Sequence, residues 1–133
     1  MKIVLVGIHS KPDMEPLDSR TKTGQIVDKV IAAFPQNKFV KSNLFTGDHI
    51  PVDAQANCRQ YVKDWIIRTE FNSEDDIAIV LGNDAKFLFR KAEIVLPLFK
   101  EHPAQRQIPP DEYVADVIKI LRAYLLVKPV FGL

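Results

Sequence analysis

The chain has 133 residues, 47% hydrophobic and 26% charged, the composition of a single globular domain with a core of its own. Its 18 basic and 17 acidic residues give no global basic field, so any nucleic-acid contact must come from a local patch. The single cysteine, Cys58, excludes an intramolecular disulfide, a cysteine-built zinc site and a four-cysteine iron–sulfur cluster, and it fits a reducing compartment.

Met1-Lys2 leads directly into "IVLVG", far too short for a signal-peptide core or a membrane span, so a cytoplasmic protein is expected. "KIVLVG" is rich in β-branched residues and stops at Gly7, which predicts a buried strand. The polar stretch "GIHSKPDMEPLDSRTKTGQ" follows. Ile26, Val27, Val30, Ile31 and Phe34 then recur at helical spacing until Pro35 ends the helix. "KFVKSNLF" predicts a second strand.

Asp53 is the expected N-cap of a second helix with the apolar stripe Ala54, Cys58, Tyr61, Val62, Trp65 and Ile66. "DIAIVLG" predicts a third strand, and Asn83 or Asp84 is expected to cap a short helix carrying Phe87 and Leu88. "EIVLPLF" predicts a fourth strand, placed at an edge because of Pro97. After "KEHPAQRQIPP", a last helix is expected from Asp111, with Tyr113, Val114, Val117, Ile118 and Leu121 on one face. The fold class that results is α/β, a three-layer sandwich with a mainly parallel four-stranded sheet flanked by helices, forming one domain over residues 1–133.

In such sheets ligands bind outside the carboxyl ends of the strands. That rule selects the loop after Gly7, the stretch around Asn43, the turn at Gly82-Asn83 and the loop around His102. Gly7-Ile8-His9 can turn tightly with amides facing an anion, and Thr21, Thr23 and Gly24 begin a helix whose N-terminus favours phosphate. A capped helix beneath a solvated loop explains the same residues. Asn43 offers a donor and an acceptor together, suited to a base edge, and Phe45 offers a stacking face; turn chemistry alone also accounts for the asparagine. "LGND" reads as structural punctuation. His102, stiffened by Pro103, can donate to a developing negative charge, with Gln105 and Arg106 in reach of a phosphate, or it is a surface histidine. His9, His49 and His102 lie too far apart in sequence for metal-ligand spacing, and Cys58 falls on an apolar helix stripe, so neither a metal site nor a cysteine nucleophile is expected.

Taken in order, these segments resemble the uracil-DNA glycosylase superfamily, from about Ile3 to Leu121. "VLVGIHS" stands where the family has a strand, a glycine and a water-activating residue. "DSRTKTGQIVDKVI" is similar to its Thr/Ser-Gly helix start, and "VKSNLF" to the strand that delivers a base-reading asparagine. "NCRQYVKDWI" and "DIAIVLGNDAKFLF" resemble its cysteine-containing helix and Leu-Gly strand end, and "EHPAQRQ" its His-Pro-Ser motif.

The resemblance implies a protein that takes a flipped base from DNA and hydrolyses its N-glycosidic bond without a cofactor. His9 and His102 would then be catalytic, His102 stabilising the departing base. Gly7, Ile8, Asn43 and Phe45 would bind the base, and Ser10, Thr23, Gly24 and Arg106 would meet DNA phosphates. Three departures stand out. His9 replaces the family's usual Asp or Asn, Ser10 replaces the following proline, and "HPA" replaces His-Pro-Ser. A histidine at the first position is a competent base near neutral pH, and Asp13 or Asp18 in the same loop is the alternative. The departures also fit a repurposed member that binds a base, a nucleotide or a partner protein without cleavage.

Overall fold

The computed structural model describes residues 1–104 and 107–131, with residues 128–131 as backbone only. It is the expected α/β fold, with strands and helices alternating in the order β1 (Lys2–Gly7), α1 (Lys22–Ala32), β2 (Lys38–Asn43), α2 (Cys58–Thr69), β3 (Ile77–Leu81), α3 (Asn83–Ala92), β4 (Leu98–Lys100) and α4 (Pro110–Phe131). The four strands form one all-parallel sheet in the order β2-β1-β3-β4.

Alternation of side chains along the two central strands divides the core into two layers. Val4, Val6, Ala78 and Val80 face α2 and α3, meeting Val62, Trp65, Leu88 and Phe89. Ile3, Leu5, Ile77 and Ile79 face α1 and α4, meeting Val27, Val30, Val117 and Leu121. Burial on both faces is why β1 and β3 read as unbroken apolar runs. Trp65 is fully buried and its indole donates to Ser42 Oγ at 2.9 Å, fixing α2 against the end of β2.

Three boundaries differ from expectation. The second helix begins at Cys58, not near Asp53, because residues 52–57 form successive turns. The Asp53 carboxylate is instead taken by Tyr61 Oη at 2.6 Å and Asn57 Nδ2 at 2.9 Å. Gly82, rather than Asn83 or Asp84, caps α3. The fourth strand covers only Leu98–Lys100, because α3 ends at Glu93 in the left-handed region and Pro97 has no N–H for a ladder. Its edge position is as expected. The last helix starts at Pro110, a residue whose missing N–H costs nothing in a first turn. Among the described residues no helix is long and apolar enough to cross a membrane.

The chain leaves β1 towards β2 and later returns to place β3 on the other side of β1. A crevice therefore opens at the carboxyl ends of β1 and β3, where a ligand is favoured.

Candidate functional site

A cavity of about 300 Å³ occupies that crevice, within the size range of small-molecule sites. Gly7, Ile8, His9, Ser10, Thr23, Asn43 and His102 all line it, so residues far apart in sequence converge on one place. Met14, Leu17 and Asp18 close the side formed by the loop between β1 and α1.

Asn43 ends β2 and is buried. The amide orientation that satisfies both ends has Oδ1 accepting from Ser10 Oγ at 2.6 Å and Ser10 N at 3.2 Å, while Nδ2 donates to the Ser42 carbonyl at 3.2 Å. The reverse orientation would set two oxygens against each other at that last contact. The Ser10 hydroxyl has one proton, and the 2.6 Å contact to Asn43 takes it in preference to the Glu15 carbonyl at 3.2 Å. Asn43 was expected to offer a donor and an acceptor together; its acceptor is occupied by Ser10, and one Nδ2 proton remains. Gly7 permits this arrangement, since a Cβ there would lie 2.7 Å from the end of the Asn43 amide.

His102 follows β4 and is half-buried against Gly82. Its strand end is fixed by Gly82 N donating to the Lys100 carbonyl at 2.9 Å and by Tyr113 Oη donating to the Glu101 carbonyl at 2.6 Å. The backbone N–H of Ala104 donates to His102 Nδ1 at 3.1 Å. An imidazole nitrogen that accepts carries no proton, so the ring is neutral with its proton on Nε2. Burial acts in the same direction and lowers the His102 pKa from its ordinary value of 6.5. His9 is exposed on the rim.

Asp18 organises the polar loop. Its carboxylate accepts from Glu15 N at 3.1 Å, Arg20 N at 2.9 Å and the Arg20 guanidinium at 2.7 Å, and Arg20 also donates to the Asp13 carbonyl at 2.8 Å. The side-chain bond from Arg20, with the amide bonds, holds the Asp18 pKa far below the usual carboxylate range. Asp13 and Leu17 adopt left-handed backbone angles, with φ of 62° and 49°. For a branched residue such as Leu17 that conformation is strained, and it is maintained by burial of its side chain and by Lys41 Nζ donating to its carbonyl at 2.8 Å.

Two expected roles lack the geometry. Gly24 does not present its amide to a phosphate, because that N–H donates to the Thr21 Oγ1 cap at 2.9 Å and the residue lies beneath the Leu17–Asp18 backbone. Phe45 does not face the cavity. It is buried in the core, packed edge to face on Tyr61 with ring centroids 5.0 Å apart. Arg106 lies outside the described residues. Leu17 and Met14 were not singled out from sequence; Asp18, an alternative to His9 as the water-activating residue, has its carboxylate taken by Arg20 in an Asx turn. Among the described residues no group of three His, Cys, Asp or Glu side chains is placed to hold a metal ion.

Comparison with protein-family models, curated proteins and solved structures finds no match for this chain.

Proposed function

We propose that the chain binds a nucleobase in the His9–Asn43–His102 cavity and hydrolyses its N-glycosidic bond, as a small uracil-DNA glycosylase-like protein acting on uracil or a related damaged base in DNA. The observation that carries this reading is the neutral His102 ring, whose Nδ1 is blocked by Ala104 N. A base leaving a sugar takes the electron pair of the C1′–N bond and becomes anionic. A donor already in place, in a site closed to bulk water on one side, stabilises that charge without reorganising. In this mechanism Nε2–H of His102 donates to the departing base, and the spare Nδ2 proton of Asn43 holds an acceptor on the ring. Water attacks C1′ from the His9 side, and its proton passes to the His9 imidazole. A cytoplasmic setting goes with this reading, since a lone cysteine, buried here, fits a reducing compartment.

Two observations favour a second reading. The Asn43 acceptor is already engaged by Ser10, and His9 stands exposed on the rim. Both suit a repurposed protein that holds a base, a nucleotide or a protein partner without cleaving it.

The test is excision from single- and double-stranded oligonucleotides carrying uracil, hypoxanthine or xanthine, read as alkali-labile abasic sites. Excision should fall about 10²- to 10³-fold in His102→Ala, the usual cost of removing one donor to a developing anion. Absence of abasic sites with protein in excess over several hours overturns the catalytic reading in favour of the second.

A further inference from the structure

The base-sized cavity is not isolated. A middle cavity of about 310 Å³ shares Ser10, Met14 and Asn43 with it. An outer cavity of about 430 Å³ shares Phe45, Thr46 and Arg68 with the middle one. The three cavities adjoin along these residues, in a row past the carboxyl end of β2.

Arg68 stands at the junction of the middle and outer parts. It comes from the last turn of α2, and its guanidinium donates to the Asn43 carbonyl at 3.3 Å and the Leu44 carbonyl at 2.9 Å. Among the described residues no carboxylate lies within 4.0 Å of it, so the two carbonyls are its direct partners and Asp64 acts on it from farther off. Of five donors, three are used, which leaves Nε–H and one Nη1–H as single donors for an anion. Burial lowers its pKa, the mark of a cation partly stripped of water. The outer cavity differs in character. Leu44, Phe45, Pro51, Tyr61 and Ile67 make it mostly apolar, and Asp64, held by Gln60 Nε2 at 2.9 Å, disfavours an anion there. The row therefore offers a base-sized crevice, then a cation, then an apolar recess.

We propose that these cavities act as one trough with a second nucleotide subsite, in which Arg68 takes the phosphodiester next to the bound base and the outer cavity takes the adjoining base. The proposal rests on the nucleobase reading of the first cavity and names its substrate class: a single-stranded or locally unpaired strand of at least two nucleotides. A paired, stacked neighbour could not enter a recess in the protein.

Isothermal titration of the intact chain with deoxyuridine, deoxyuridine 5′-monophosphate, the two uracil–thymine dinucleotides and a uracil–abasic dinucleotide tests it. At least one dinucleotide should bind about tenfold or more tightly than deoxyuridine, and the uracil–abasic compound should keep only part of that gain. Arg68→Gln should remove the gain while leaving deoxyuridine affinity within twofold, and Arg68→Lys should retain part of it. Ile67 is 73% exposed beside Arg68, so Ile67→Glu supplies a second variant that places an anion at the junction without opening the core. It should abolish the gain even if Arg68→Gln misfolds.

Four results overturn the proposal. If the monophosphate gains as much as the dinucleotides, Arg68 reads a free nucleotide. If Arg68→Gln weakens deoxyuridine and dinucleotides equally, Arg68 only positions Asn43. If no dinucleotide exceeds deoxyuridine, the trough holds no second nucleotide. If neither deoxyuridine nor any dinucleotide binds, the nucleobase reading itself falls, and this proposal with it.

Discussion

Gly24→Ala tests whether the polar loop is pressed onto α1 as closely as the structure places it. In an ordinary helix this change is stabilising by about 1 kcal/mol, because alanine loses less backbone freedom on folding. Here a Cβ would lie 1.9 Å from the Asp18 carbonyl oxygen, 2.4 Å from its carbon and 2.6 Å from the Leu17 oxygen. Those are backbone atoms, so no side-chain rotation relieves the clash, and the loop must retreat by roughly 1 Å or more. Overpacking of that kind costs about 1–3 kcal/mol, and loss of the Thr21 cap to Gly24 N adds about 1 kcal/mol. Set against the propensity gain, the net loss is about 2 kcal/mol, or roughly 6–8 °C in Tm for a chain of this length. Urea unfolding and thermal melting followed by circular dichroism measure it. Gly47→Ala is the control, since nothing lies within 4 Å of its would-be Cβ and its stability should stay within about 0.5 kcal/mol of wild type. A Gly24→Ala protein that melts at or above wild type would refute the close loop–helix contact, and with it the placement of Leu17 and Asp18 at the cavity wall.

Two further predictions follow from ionisation. Burial opposes the charge of Asp76, but the amides of Asn72 and Lys2 together with the Lys2 ammonium outweigh it and hold its pKa below 3.8. A depressed carboxylate contributes stability that is present above its unfolded pKa and is lost as pH falls through its folded one. Asp76→Ala should therefore cost about 2 kcal/mol at pH 7, with the gap to wild type closing as the pH drops below 3.8; a gap independent of pH would refute the assignment. His102 should appear in nitrogen-15 NMR as the Nε2–H tautomer and remain mostly neutral at pH 6.5, where an ordinary histidine is half-protonated. A proton on Nδ1, or half-protonation at or above that pH, would remove the donor on which the proposed chemistry depends.

The central strands were the most legible part of the fold. Ile3 to Val6 and Ile77 to Leu81 are apolar at every position because both sheet faces are covered, and no other common element gives that pattern at that length. The helix stripes were equally clear, since Val62 and Trp65 or Val117 and Leu121 must point the same way at 3.6 residues per turn. What escaped the sequence was set by partners distant in the chain. Asp53 has the side chain of an N-cap, yet Tyr61 draws its carboxylate away, and no local pattern announces that. Phe45 sits at the right strand end for stacking, but Tyr61 and the core claim its ring. The strand-end rule brought His9, Asn43 and His102 to one cavity because parallel topology alone fixes which loops share an edge. Roles were harder to read. The Thr-Lys-Thr-Gly start of α1 looks like a phosphate cradle, and its glycine serves close packing instead.

The charges around the cavity bear on what it can hold. Asp18 is neutralised by Arg20 at 2.7 Å, and Lys41 by Asp28 at 2.7 Å. His102 is neutral by its hydrogen bond from Ala104 N. Lys11 and Glu15, both exposed at the rim, carry opposite signs and offset each other in water. An anion placed inside would lose its hydration and find no net field in return, because the donors left to it are single N–H groups from neutral side chains. A neutral, flat, polar ring suffers no such penalty, and it gains where charge appears only as its bond to sugar breaks. Arg68 is a further cation close by, outside the crevice, with its guanidinium on the Asn43 and Leu44 carbonyls. That arrangement suits a ligand whose ring is neutral and whose charge lies one linkage away, which is the chemistry of a nucleotide within a strand rather than of a free anionic metabolite.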